Sequence, residues 1–492
     1  MQLEAIAIDI GTSRPLVLLN TDDADELGAQ PLDRVHIEQD GTATTGIVKR
    51  TDELVTRGTA GMTEPLHRIR GTVDVTIAGT PRSVRYVRKK LDDVELQFAE
   101  HETIVRDIHD NRLSDVELSA YVSAVYANGL SLEETKHLTE AMSEIGQQLT
   151  WDRYPVADKH SIGGVAGNCV TPIIVAIVAE AGLTMPKTSS RAVTSPAGTA
   201  DVMEVLCDVE FTIDEIADIV TATNGCLVWG GGVELSPVDD ELIRAENPLS
   251  IDPKGILIAS VLSKKRSVSS THLVIDIPYG EGAKVESLVA ARALADDFKR
   301  VGTHLGIDVQ CAITHGAEPI GYGIGPTLEA RDVLAVLEGG GPEELRLKSL
   351  ELADMLLEHC GVDASAADIV DSGRALERFR RIVAAQNGDP DVTADDLEPG
   401  PEATTVHADR VGIVTRIDNR QLSDLARRTG APRDSAAGIV IHRAIREEVD
   451  VGDPLYTLHA ETPAKLAEAE TLAERLEPIR VRHKTDALVE RR

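Results

Sequence analysis

Two polar loops hold most of the side chains in this sequence that could do chemistry. The first is Asp158-Lys-His-Ser-Ile-Gly-Gly-Val-Ala-Gly-Asn168, followed by the apolar run from Cys169 to Ala181 and then Gly182. A glycine-rich loop that leaves a strand and enters a buried helix has backbone N–H groups without helical partners, and the helix dipole favours an anion there. That preference is about 0.3 to 1 kcal/mol, and up to ~2 kcal/mol when the helix end is partly buried. Lys159 and Ser161 add a positive charge and a hydroxyl donor to the same loop. No Lys-Ser or Lys-Thr follows the last glycine, so this is not a P-loop, and a tight turn with glycines needed for packing explains the same residues. The second loop, Lys187-Thr-Ser-Ser-Arg-Ala-Val-Thr-Ser-Pro-Ala-Gly-Thr199, leads into a helix from Ala200 to Leu206. Its Ser, Thr, Lys and Arg side chains are donors, and Thr199 either caps the helix or contacts a ligand. Two strand–loop–helix sites in one sheet bring their loops together at its carboxyl edge, where open α/β sheets bind ligands. Such a pair suits two phosphate groups, or a phosphate beside a sugar.

Further candidates lie downstream. Asp252 in Ser-Ile-Asp-Pro-Lys is either an acid or a helix cap ahead of Pro253. Ser260 sits in Ala259-Ser-Val-Leu-Ser-Lys-Lys265, and Lys264, Lys265 and Arg266 make a short basic cluster. Lys284 follows a strand from Leu273 to Pro278 through Gly280-Glu-Gly, which suits a substrate phosphate or a surface lysine. His160 could orient its loop, act in acid–base work or pack for structure. Gly321-Tyr-Gly-Ile-Gly-Pro326 imitates a dinucleotide fingerprint, but a helix start with proline in its first turn is the simpler reading. The histidines show neither H-E-x-x-H nor paired Cys/His spacing, so no metal site is expected. No G-x-S-x-G elbow supports a serine nucleophile.

The elements that must position these residues follow from hydrophobic periodicity. The fold expected is multidomain α/β. Residues 1–85 form a β-rich N-terminal domain, with alternation at Ile6, Ile8, Ile10 and at Val73, Val75, Ile77. A helical domain spans 86–150 with 237–268; its helices run from Leu113 to Ala127 and from Leu132 to Leu149, the second opened by a Ser131/Glu134 capping box. Residues 151–236 with 269–400 alternate strand and helix, giving a central, mostly parallel sheet. A linker-like run from Asn387 to Glu402 precedes an α+β C-terminal domain, 401–492, with strands at Val411–Ile417, Ala437–His442 and Pro454–His459 and a helix from Pro463 to Leu476.

The 492 residues carry 82 acidic and 50 basic side chains, a formal charge of −32, with 36 Arg to only 14 Lys. Acids spread along the whole length with few lysines are the composition of a protein adapted to molar salt, where self-repulsion is screened over about 3 Å. Nucleic acid polymers are excluded as partners, since no basic face stands out. No run approaches the ~20 apolar residues of a membrane helix, and the N-terminus reads as a strand, not a signal peptide. Five scattered cysteines without C-x-x-C fit a reduced cytoplasm.

With these motifs in place, the sequence resembles the thymidine and pyrimidine nucleoside phosphorylase superfamily, whose D-K-H-S-x-G-G loop binds inorganic phosphate. It is most similar to the archaeal AMP phosphorylase branch, through Ile162 in K-H-S-I-G-G, S-S-R-A-V-T-S-P-A-G-T at 189–199 and the additional N-terminal domain. The run from Ala259 to Lys265 resembles the superfamily's base-side helix. Ala166 departs from the branch, where proline is expected; the change should loosen the loop slightly without removing a ligand group.

The resemblance implies a cytoplasmic glycosyltransferase of nucleotide salvage. It would convert a nucleoside 5'-monophosphate (AMP foremost, CMP and UMP also) and inorganic phosphate to free base and ribose 1,5-bisphosphate. Lys159, Ser161, Ser189 and Thr199 would surround the attacking phosphate. Gly164, Ser190, Arg191, Ala192, Val193, Thr194, Ser195, Thr199, Ser260 and Lys284 would contact the nucleotide. Asp252 would protonate the departing base, which requires its pKa to be raised from ~3.9 by burial or a neighbouring carboxylate. Phosphate is then a co-substrate, with no cofactor and no metal, and a homodimer or larger homo-oligomer is expected. The site would lie between the helical and sheet domains, with Gly230-Gly-Gly232 as a hinge that closes it against water. The alternatives are a pyrimidine nucleoside phosphorylase acting without a 5'-phosphate, and a sensor that binds AMP without turnover. The composition yields a separate expectation: in a salt titration followed by circular dichroism, fold or activity is lost as salt falls below molar levels, and full stability in dilute buffer contradicts the salt adaptation.

Overall fold

The computed structural model describes residues 1–12, 14–192, 195–233, 235–249 and 251–483. Contacts divide the chain into two compact units, Met1–Ile145 with Ser236–Ser260, and Gly146–Leu235 with the chain from Val261 onward.

The first unit opens with a closed six-stranded barrel in the order Gln2–Ala7, Thr59–Met62, Leu16–Leu19, Thr42–Arg50, Arg34–Gln39, Gly71–Ala78. Closure leaves no open strand edge. Leu3 pairs with Val73, and both are buried with Ala5, Val17, Leu19, Val35, Ile37 and Val75. Leu3 and Ala5 face the core, which puts Ile6 on the outer face, one residue out of phase with the expected alternation, whereas Ile77 shares the face of Val73 and Val75, pairs with Val35 and is exposed near the end of its strand. Helices Arg82–Leu91, Phe98–His109, Asp115–Asn128 and Leu132–Ile145 follow, the first starting inside the range expected to be β. The Ser131/Glu134 box forms as expected: the Glu134 N–H donates to Ser131 Oγ (3.1 Å) and the Ser131 N–H to Glu134 Oε2 (2.9 Å). The same carboxylate accepts from Lys90 Nζ at 2.9 Å and from the Leu96 N–H at 3.0 Å, so a cap doubles as the partner of a buried lysine. Helix Pro237–Glu246 and the start of helix Lys254–Ser267, as far as Ser260, complete the helical part of this unit.

The second unit is built on parallel strands. His272–Tyr279 pairs with Asp308–His315 on one side and Ala157–Ser161 on the other; a bridge between Val156 and Thr184 leads on to Met185–Ser189, which pairs with Gly225–Trp229. Every one of these pairings is parallel, which requires helices on the faces. Helix Thr171–Glu180 supplies one, buried from Thr171 through Ala179 and packed in a core with Leu334, Leu356 and Phe379. Its fully apolar sequence is explained by contacts all round. The glycine-rich loop, the loop after Ser189 and the loop after Tyr279 all leave carboxyl ends of these strands, so the sheet brings to one edge the segments singled out above.

Beyond the sheet, Gly323–Ile324 joins Gly438–Ile441, Pro454–Ala460 and Glu402–His407 in one antiparallel sheet, while Gly412–Ile417 lies between Glu448–Val449 and Ile479–Arg482 in another. Helix Pro326–Leu337 starts with its proline at the first turn, as expected of the Gly321–Pro326 segment. Helix Asn419–Thr429 goes beyond the expected elements: most of its residues are polar, and only Leu422, Leu425 and Ala426 form its apolar stripe. Among the described residues no helix is long and apolar enough to cross a membrane.

Candidate active site

The end of strand Ala157–Ser161 carries an unusual concentration of buried charge. Lys159 is completely buried, and its Nζ donates to Thr171 Oγ1 at 3.3 Å. Ser161 Oγ donates to Asp276 Oδ2 at 2.9 Å, and the same oxygen pairs with Lys348 Nζ at 2.9 Å. Thr314 Oγ1 donates to the other Asp276 oxygen at 2.6 Å, and Asn168 Nδ2 reaches Ser161 Oγ at 3.3 Å. Asn168 Oδ1 is buried with no hydrogen-bond partner. Burial alone would raise the Asp276 carboxyl, but Lys348, Lys159 and the Thr314 hydroxyl outweigh it and hold the group below its ordinary value. Asp158 in turn pairs with buried Lys265 at 3.0 Å and accepts from Ser270 Oγ at 2.8 Å.

Two carboxylates therefore serve two lysines, and two more lysines remain. Among the described residues neither Lys159 nor Lys187 has a carboxylate within ion-pairing distance. An uncompensated charge in such a place is costly, so the group sheds its proton or receives an anion from outside. Lys187, whose Nζ donates to its own strand at Thr188 O, is pushed well below its usual range by burial and by Lys265. Lys159 is pushed down by burial to about 8 and stays cationic at neutral pH. His160 is held well below its ordinary value by burial beside Lys265 and Lys187, which makes it a neutral structural ring.

Gly163 and Gly164 both have positive φ, at 83° and 86°. A Cβ on Gly164 would lie 2.8 Å from Lys284 N and 3.0 Å from Lys284 Cγ, so the glycine-rich loop and the Lys284 loop touch through a position only glycine fits. The structure thus brings together Lys159, Ser161, Gly164 and Lys284, and adds Asp276, Lys348, Thr314 and Asn168, which sequence reasoning does not single out. Only Asp276, an acid in the otherwise apolar strand 273–278, carries a signal that could be read there.

The second loop is arranged differently from the expectation. Ser189 ends its strand with Oγ donating to Val228 O at 3.3 Å. Thr199 is the first residue of helix Thr199–Glu204, so the cap position belongs to Gly198 and not to Thr199. Asp201 accepts from the Ala192 N–H at 2.6 Å and the Gly198 N–H at 2.8 Å, occupying two backbone donors that the loop was expected to offer an anion. Arg191 is likewise engaged, bonded to Glu204 and, at 3.0 Å, to Glu210, with its guanidinium 4.8 Å from the Trp229 ring centroid; the bonds to Glu204 chiefly raise its pKa. Ser190 is exposed, as is Ser195, whose Oγ donates to Ala197 O at 3.1 Å. Val193 and Thr194 lie outside the described residues. Gly230-Gly-Gly232 forms a 3-10 turn, Gly230–Val233, just before the chain enters the other unit.

In the first unit, Asp252 is exposed, two residues ahead of helix Lys254–Ser267, and the Leu257 N–H bonds to Pro253 O at 2.9 Å. Pro253 therefore takes the cap position and Asp252 does not. Ser260 is half-buried on that helix. Among the described residues no three His, Cys, Asp or Glu side chains are arranged to hold a metal ion.

An AMP phosphorylase of Natronomonas pharaonis is 61% identical over 500 residues, covering all of both chains. The chain belongs to the AMP phosphorylase family. A relative of that family from Thermococcus kodakarensis, also named AMP phosphorylase, is 46% identical over 98% of each chain. Within this AMP phosphorylase family member, residues 84–146 match a glycosyl transferase family helical bundle domain, residues 153–242 a glycosyl transferase family a/b domain, and residues 413–479 a pyrimidine nucleoside phosphorylase C-terminal domain. An anthranilate phosphoribosyltransferase from Thermus thermophilus superposes with a TM-score of 0.53 at 17% identity, over 61% of this chain and 99% of that one, a likeness of fold.

The charge balance gives a pH dependence. An anion beside Lys159 favours its ammonium form, so binding above about pH 8 must first take up a proton. The apparent affinity for inorganic phosphate should be nearly flat just below that point and fall by up to about tenfold per pH unit above it. Lys159→Met should weaken phosphate binding and abolish the break; a break unchanged in the variant assigns it to another group.

Proposed function

We propose that this chain catalyses phosphorolysis of AMP, giving adenine and ribose 1,5-bisphosphate, with CMP and UMP as further substrates. The observation that carries the reading is the fully buried, cationic Lys159 without a carboxylate of its own, at the mouth of a glycine-rich loop, in a chain similar along its whole length to proteins named AMP phosphorylase. Inorganic phosphate completes the charge balance that the protein leaves open. As the C1'–N bond breaks, its electron pair goes to the base, positive charge develops on the ribose, and a phosphate oxygen forms the new bond to C1'. Lys159, Ser161, Ser189 and Thr199 hold the attacking phosphate, while Gly164, Ser190 to Ser195, Thr199, Ser260 and Lys284 contact the nucleotide. A phosphate fixed beside C1' both stabilises that charge and supplies the nucleophile.

Asp252 delivers a proton to the leaving base. Exposed in the chain alone, its carboxyl takes that proton from solvent and passes it to the base as the C1'–N bond breaks. The reading keeps the four-part layout of N-terminal, helical, sheet and C-terminal domains, a homodimer or larger assembly, a cytoplasmic setting, and phosphate as co-substrate without a cofactor. A pyrimidine nucleoside phosphorylase is not favoured, because the full-length relatives carry the AMP phosphorylase name.

Chromatography of AMP incubated with the protein should show adenine only when inorganic phosphate is present. Adenine release that ignores phosphate, or none with phosphate, contradicts the proposal. Asp252→Asn should lower kcat by about 100-fold or more, the scale of a lost general acid, while AMP binding measured by calorimetry is retained. Unchanged turnover removes Asp252 from the mechanism.

A further inference from the structure

The glycine-rich loop is held in place by a residue more than two hundred positions away. Asn419, the first residue of helix Asn419–Thr429, is 3% exposed. Its Oδ1 accepts the Ala166 N–H at 3.2 Å and its Nδ2 donates to Gly316 O at 3.1 Å. Gly316 closes the strand Asp308–His315 and lies against the loop itself, since a Cβ there would be 3.1 Å from Val165 Cγ2. One neutral amide thus fastens the loop's descending half to the end of the neighbouring strand. The helix start that carries it is itself fixed, because Asp418 accepts from the Arg420 and Gln421 N–H groups at 3.0 and 3.1 Å. Neighbouring residues grip the other loop at this edge: Arg416 pairs with Glu281 at 2.8 Å, and Arg420 reaches Gly282 O at 3.3 Å and Glu286 at 3.4 Å.

We propose that Asn419 is a positioning residue for the phosphate loop, setting the placement of Ser161 and Gly163–Gly164 through Ala166 and Gly316. The inference rests on the reading that this loop holds inorganic phosphate. Its chemistry suits the surroundings. Arg420 and Glu286 are exposed ions whose attraction molar salt screens, whereas a buried neutral amide keeps its hydrogen bonds at any ionic strength. The bond also explains Ala166. A proline at that position would have no N–H to give Asn419, so alanine does not simply loosen the loop; it leaves the N–H that the anchor uses.

The test is a double-mutant cycle on Asn419→Ala and Ala166→Pro, assayed for adenine release in high salt with phosphate and AMP varied separately. Ala166 is not among the residues with positive φ, which proline cannot adopt, and in the Asn419→Ala background its N–H has no amide oxygen to lose. For Asn419→Ala, the KM for phosphate should rise about tenfold, on the scale of a displaced loop, while the KM for AMP changes by less than about twofold. Adding Ala166→Pro should restore part of that loss, because the ring stiffens the loop without the anchor. Strictly additive effects, or equal changes in both KM values, overturn the proposal. Should Asn419→Ala give no folded protein by circular dichroism, Asn419→Gln, which keeps the amide but displaces it by one methylene, carries the same test. The unmutated protein run in parallel separates the two failures: no phosphate-dependent adenine there sinks the functional reading, and a normal phosphate KM in the variants sinks the clamp alone.

Discussion

A lysine ammonium that the protein buries without pairing is the constraint on which the site depends. Lys348 and Lys265 each have a carboxylate close by, in Asp276 and Asp158. Lys159 has only the Thr171 hydroxyl within hydrogen-bonding reach; burial lowers it to about 8, and the charge of nearby Asp276 keeps it from falling further. A protein that needed this group only for structure could replace it with an apolar side chain at no cost. Keeping a charged lysine there creates affinity for an anion of the right size, and the surrounding elements follow from that need. The strand stops at Ser161, the two glycines turn the chain back with positive φ, and the apolar helix Thr171–Glu180 seals the site from beneath.

The same accounting separates the two loops. In the first, the side chains are tied to one another and a charge is left over. In the second, Asp201 takes the Ala192 and Gly198 N–H groups, and Arg191 is held by Glu204, Glu210 and the Trp229 ring. Under the proposed reading, nucleotide must therefore compete with acids of the protein at the second loop, whereas phosphate at the first competes with Asp276 for the Ser161 hydroxyl but finds no carboxylate paired with Lys159. Asp252 differs from both in lying exposed on the surface of its own unit.

Much of this is legible in the residues. The Asp158–Asn168 loop, its strand and its apolar helix can be read from glycine spacing and hydrophobic runs, as can the Ser131/Glu134 cap and the helix start at Pro326. What cannot be read depends on long-range pairing. Asp276 and Lys348 reach Ser161 only because the strand and helix that carry them pack beside the central strand. Asn419 opens a helix whose apolar stripe is only Leu422, Leu425 and Ala426 among polar residues, and nothing near it in the chain points to Ala166. Ile6 shows the other limit: alternation reveals a strand, but only the pairing of Leu3 with Val73 decides which face enters the barrel. Thr199 departs from expectation for a local reason. The acid two residues on, Asp201, marks Gly198 as the cap, a signal that is present in the sequence.

The most direct measurement of the central claim is the proton balance of phosphate binding. Calorimetric titration of inorganic phosphate at about pH 8.5, where the anion is already doubly charged and Lys159 is mostly neutral, in two buffers of different ionisation enthalpy, reports how many protons the complex takes up. The account predicts an uptake of roughly three-quarters of a proton in the unmutated protein and none in Lys159→Met. Binding without proton uptake, or uptake that persists in the variant, would show that the buried lysine does not meet the anion.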